Sequence, residues 1–99
     1  MKVITICGSM RFSKDIMKIA TELETDKGYC VLQPVYNFDN NVLGEAELQN
    51  IVKAHYKKID ISDAVFVVNV GGYIGKSVTE EIEYAKSLNK EILYLEKLF

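Results

Sequence analysis

An open, parallel, four-stranded α/β sheet is what this sequence predicts, on three observations. Short apolar runs alternate with stretches of helical periodicity along the whole chain. The run over 64–70, Ala-Val-Phe-Val-Val-Asn-Val, is almost continuously apolar, as a strand covered on both faces must be. Glycine-bearing turns follow the first and third runs, where crossovers to helices begin. Right-handed crossovers then give strand order 2-1-3-4, three layers with helices on both faces, a flavodoxin- or Rossmann-like arrangement.

The elements follow in order. Residues 2–7 read as a buried strand and Gly8-Ser9-Met10-Arg11 as a turn. Phe12, Ile16, Ile19, Ala20 and Leu23 recur at helical spacing, with Ser13 as the expected N-cap and Lys27-Gly28 as the stop. Residues 29–32 form a short strand, and 33–44 a longer loop with Pro34, Tyr36 and Phe38. The helix over 45–59 carries an apolar stripe of Leu48, Ile51, Val52, His55 and Ile59. A strand over 62–70, a helix over 77–89 and a strand over 91–95 complete the chain. In this order the turns after the first and third strands meet across one crevice, where ligands of open α/β sheets bind.

Composition bounds the function. Ninety-nine residues, 48% hydrophobic and 26% charged, make a single domain over 1–99 with one modest core. A net charge of −2 excludes a general nucleic-acid binder, so no nucleic acid polymer is expected as partner. No apolar stretch approaches the ~20 residues that cross a bilayer. The opening apolar run is broken too soon, by Gly8-Ser9, for a signal peptide, and a cytoplasmic location is expected. Cys7 and Cys30 lack metal-ligand spacing and read as reduced core residues. Neither a metal nor a cofactor is expected. The apolar ending Tyr94-Leu95-Glu96-Lys97-Leu98-Phe99 and a thinly covered sheet edge predict a homo-oligomer, at least a dimer.

Candidate site residues cluster at the two turns. On the last helix Val78, Ile82, Ala85 and Leu88 define the buried stripe, and Glu81 falls on it, whereas Glu80 and Glu83 point away. An acid in that position either satisfies the helix N-terminus or serves a ligand. His55, the one histidine, is either a core residue or a proton carrier. Gly8 and Ser9 offer backbone and hydroxyl groups to an anion, and Arg11 a guanidinium, unless it is an ordinary surface residue. Gly72, Tyr73 and Ser77 belong to the second turn. Gly72-Tyr73-Ile74-Gly75-Lys76-Ser77 is two residues short of a P-loop and follows the wrong strand, so an ATPase is excluded.

Three segments together carry a resemblance: 6–12 (Ile-Cys-Gly-Ser-Met-Arg-Phe), 59–63 (Ile-Asp-Ile-Ser-Asp) and 71–85. They resemble the nucleoside 2-deoxyribosyltransferase-like superfamily, which includes the deoxynucleoside 5′-monophosphate N-glycosidases. The resemblance implies cleavage or transfer at an N-glycosidic bond of a nucleoside or its 5′-monophosphate. It assigns the nucleophile to Glu81, four residues before Ala85, and sugar and phosphate contacts to Gly8, Ser9 and Arg11. His55 stands eight residues before Asp63, where some members have an aspartate, and is the candidate proton donor. Gly75 stands six residues before Glu81, where the transferases carry another aspartate. The same resemblance implies stacking of a base on Tyr73, Tyr36 or Phe38, a phosphate at Ser77 and homo-oligomeric assembly. A non-catalytic nucleotide-binding module and a structural subunit remain alternatives.

Overall fold

A computed structural model of the chain describes residues 1–37 and 41–97. Its strands are β1 (Val3–Gly8), β2 (Cys30–Leu32), β3 (Ala64–Val68) and β4 (Glu91–Tyr94); its α-helices are α1 (Ser13–Lys27), α2 (Glu45–Asp60) and α3 (Lys76–Ser87). A single 3₁₀ turn, Met10–Phe12, follows β1, and a tight turn over Val70–Gly72 follows β3. The sheet order is β2-β1-β3-β4, as the crossover argument predicts. Every pairing is parallel, with Ile4 opposite Val31 and Ala64, and Val65 opposite Ile92.

Alternation of side chains along the strands builds two cores. Ile6 and Val68 pack with Ile16, Ile19, Ala20 and Leu23 of α1 on one face. Cys7, Val65 and Val67 pack with Ile59 of α2 and Val78, Ile82 and Ala85 of α3 on the other. Helices therefore cover both faces, α1 alone and α2 beside α3. Each fully buried isoleucine or valine contributes about 1.5–3 kcal/mol, so the two helix-facing surfaces together decide the fold.

Local chemistry sets the boundaries. Ser9, not Ser13, is the capping serine: its Oγ accepts from the Arg11 N–H at 3.3 Å. The 3₁₀ turn delivers the chain to Ser13 already in helical geometry, and no side chain caps α1. Gly28, at φ +70°, closes α1 with its N–H on the Glu24 carbonyl. The Glu47 carboxylate accepts from the Gly44 N–H at 2.9 Å and starts α2.

Three apolar residues lie elsewhere than periodicity places them. Leu48 and Val52 of α2 are 50% and 54% exposed, because only the C-terminal half of the helix rests on the sheet. Leu88 is 41% exposed, at the C-cap of α3, where the chain turns through Asn89 at φ +58°. Cys30 is only half-buried and belongs to neither core cluster, so of the two expected core cysteines Cys7 alone is one; both are free thiols.

β3 is shorter than its apolar run because buried Asn69 diverts the chain. Its Nδ2 donates to the Glu96 carbonyl and its Oδ1 accepts from the Glu96 N–H, both at 2.9 Å. The Glu96 carboxylate in turn accepts from the Gly71 N–H at 2.6 Å. Gly71 and Gly72 take positive φ in this turn (65° and 82°), which side-chain-bearing residues adopt only at a cost. The segment after β4 thus holds the glycine turn that leads to α3.

Candidate functional site

Gly8 at the end of β1 and the 70–75 turn after β3 lie side by side, at the carboxyl edge of the two central strands. Packing around Gly8 is tight. A Cβ on it would stand 3.1 Å from Ile16 Cδ1 and 3.2 Å from Val68 Cβ. Beyond it open two adjoining hollows that share Gly8, Met10, Ser77 and Glu81. The outer one, about 350 Å³, is bounded by Ser9, Tyr73 and residues 75–78. The inner one, about 200 Å³, reaches His55, Lys58, Pro34, Val35, Ile51 and Val52.

Glu81 stands where the hollows join. It lies between Val78 and Ala85 on the inward side of α3, and its side chain is 17% exposed. Its Oε1 is 3.4 Å from Nε2 of His55, whose side chain is 10% exposed. The same Nε2 is 3.7 Å from Cys7 Sγ. The donor atoms of Cys7, His55 and Glu81 all fall within 4.8 Å of one another. His55 Nδ1 is buried and has no hydrogen-bond partner among the described residues. Burial drives the Cys7 thiol well above its ordinary pKa, and the negative Glu81 carboxylate adds to the effect, so at neutral pH the group is an uncharged thiol.

The rim is cationic and aromatic. The Arg11 guanidinium carbon lies 4.0 Å from the centroid of the Tyr73 ring, and Arg11 Nη2 donates to the Tyr73 hydroxyl at 3.3 Å. Phe12 meets the same ring edge-on with centroids 6.0 Å apart. Gly75 lies beneath that hydroxyl: a Cβ there would stand 3.2 Å from the Tyr73 oxygen. Gly75 also caps α3 with no side-chain bond, so the first-turn N–H groups face the outer hollow without a capping oxygen. Lys58, in the inner hollow, donates to the Gln33 carbonyl at 2.7 Å and ties the loop after β2 to α2.

The structure thus gathers Gly8, Ser9, Tyr73, Ser77, Glu81 and His55 around one cleft and sets Arg11 on its rim behind Tyr73. Gly72 is not brought there. It is exposed, borders neither hollow, and spends its N–H on the Asn69 carbonyl, because its role is to complete the turn. Tyr36 packs against the α1 core and donates to Gln33 Oε1 at 2.7 Å, outside the cleft lining. Phe38 lies outside the described residues. Periodicity missed Cys7 as a neighbour of His55 and Glu81. Its odd position in β1, on the face that α2 and α3 cover, is the signal that could have found it.

No family model and no curated protein matches the sequence. Among solved structures, the chain is similar to a 2-deoxyribosyltransferase from the psychrotolerant bacterium Bacillus psychrosaccharolyticus. The TM-score is 0.74 at 18% identity, over 98% of this chain and 77% of that one. Over nearly its whole length, therefore, the chain has the fold of that 2-deoxyribosyltransferase, built here on the strand order β2-β1-β3-β4.

Proposed function

We propose that the protein cleaves, or transfers at, the N-glycosidic bond of a nucleoside or its 5′-monophosphate, with Glu81 as nucleophile. The observation that carries this reading is the placement of Glu81: a nearly buried carboxylate at the junction of two hollows, on the inward side of α3. Glu81 attacks C1′ of the sugar as the bond to the base breaks and its electron pair passes to the base nitrogen. A glycosyl ester forms on Glu81, and water or a second base resolves it. The departing base takes up a proton, which His55 supplies directly or through a water. With the sugar at Glu81, the base and the 5′ group divide between the hollows. The 5′-phosphate fits the outer one, where Ser9, Ser77 and the first-turn N–H groups of α3 meet. Release of free base from a panel of deoxynucleosides and their monophosphates tests the reading; binding of monophosphates with no base released would refute it.

That second outcome is the signature of a non-catalytic nucleotide-binding module. One observation favours it: Gly75 occupies the position of the transferases' additional aspartate, and the cleft holds a tyrosine ring above it. Binding would then persist without turnover.

Arg11 separates phosphate recognition from chemistry. Arg11→Ala is expected to raise KM for a monophosphate by about 10-fold or more, the scale of a lost charge-assisted hydrogen bond, with a smaller change in kcat. Equal effects on nucleoside and monophosphate would show that Arg11 only supports the Tyr73 ring.

We further propose that the protein assembles at least as a homodimer through the exposed face of α2. Leu48 and Val52 line a shallow apolar hollow of about 310 Å³ there, with Glu45, Gln49 and Lys53 around them. Among the described residues no helix is long and apolar enough to cross a membrane, so this face is not part of a spanning helix. Light scattering at micromolar concentration should give at least twice the 11.2 kDa of one chain, and Leu48→Asp with Val52→Asp should return it to the monomer. A monomeric wild type contradicts the assembly.

A further inference from the structure

We propose that Cys7, His55 and Glu81 form a three-ligand site for Zn²⁺, with the fourth coordination position open to the cleft. The three side chains come from β1, α2 and α3 and converge although none is near another in sequence. They offer one sulfur, one nitrogen and one oxygen donor, a set that suits a borderline-soft divalent ion.

The spacing is that of one face of a coordination tetrahedron. Bonds of about 2.3 Å to sulfur and about 2.0–2.1 Å to nitrogen and oxygen, at tetrahedral angles, require roughly 3.6 Å between sulfur and nitrogen and roughly 3.3 Å between nitrogen and oxygen. The distances are 3.7 Å and 3.4 Å. The remaining pair, Cys7 and Glu81, lies within 4.8 Å, so metal binding asks the carboxylate to draw in toward the thiolate. An ion reaches this point through the inner hollow, which His55 and Glu81 border. Binding transfers the Cys7 thiol proton to water and places the thiolate on the metal, with no change of oxidation state.

Burial and the missing outer partner define what kind of site it is. Cys7 is fully buried and His55 nearly so, and the surrounding Ile59, Val67 and Val78 exclude water from the metal's inner side. Among the described residues, His55 Nδ1 lacks the hydrogen-bond acceptor that orients the ring in tight zinc centres. The site is therefore an exchangeable one, and metal-free protein remains folded around its two cores. If Glu81 acts on sugars, the ion competes for the same carboxylate and holds that chemistry off.

Cobalt(II) makes the site visible. Chelator-treated protein titrated with Co²⁺ should give a near-ultraviolet thiolate-to-metal charge-transfer band and strong visible absorption of a tetrahedral ion, both removed by Zn²⁺. Cys7→Ser should abolish the charge-transfer band, while Cys30→Ser should leave it intact. Glu81→Gln and His55→Gln should each weaken Zn²⁺ by more than the roughly 10- to 100-fold that outer-shell changes produce. Circular dichroism checks that each variant folds; if Cys7→Ser does not, the glutamine variants decide. Absence of the band in folded wild type overturns the site. So does its loss in Cys30→Ser, or unchanged Zn²⁺ affinity in folded Glu81→Gln. None of these measurements needs turnover, so this proposal and the glycosidic one fail separately.

Discussion

Glu81→Gln is expected to lower base release by at least about 10³-fold while leaving the fold and the binding of monophosphates intact. The substitution keeps the shape of the side chain and removes its charge, so a loss confined to kcat identifies a group that acts on the reacting atoms. Neighbouring Glu80 supplies the control. It is exposed and borders neither hollow, and Glu80→Gln should change turnover less than about twofold. The stability comparison sharpens the test. The carboxylate lies beside an imidazole and a buried thiol. Glutamine in its place keeps hydrogen-bonding capacity and sheds the cost of a partly desolvated charge, so the variant should melt no lower than wild type. A stability gain with lost turnover is what a functional acid gives; a stability loss with retained turnover would make Glu81 a structural helix residue instead. Steady-state base release and thermal denaturation on the same preparations read both.

The physical basis of legibility differs between the sheet and the cleft. Strand order could be read from the chain because β1 and β3 are apolar on both faces, and handed crossovers then leave few arrangements. Glu81 could be found because helical phase in α3 is fixed by Val78, Ile82 and Ala85, which are all buried. α2 is a different case. Its stripe is as apolar as that of α3, yet how much of a helix rests on a sheet depends on loop lengths and on where the strands end. Periodicity carries neither, and Leu48 and Val52 came out exposed for that reason. Contact of Cys7 with His55 depends on which face of β1 meets α2, a fact of register between distant segments. Gly72 illustrates a third limit. Sequence marks a glycine turn, but its dihedral angles decide which amides face a ligand and which close the turn.

Ile59→Ala is expected to cost about 2–5 kcal/mol, the range for an isoleucine emptied from a close-packed core, against a total stability of about 5–15 kcal/mol. Ile59 is fully buried, and with His55 it makes the whole of the buried contact of α2; the other described positions of that helix are half-buried or exposed. The cavity should therefore loosen α2 before it melts the sheet. Hydrogen exchange is expected to show α2 amides losing protection while β1 and β3 amides follow only the global change. Ile61→Ala is the matched control, since Ile61 lies two residues on and is 57% exposed. The same atoms removed from the surface should cost less than about 1 kcal/mol. Because α2 carries His55 to Glu81, the loosened helix should also reduce base release, although Ile59 does not border the cleft. Equal costs at the two isoleucines, or uniform loss of protection across helix and sheet, would mean that α2 is held by something other than its C-terminal contact with the sheet.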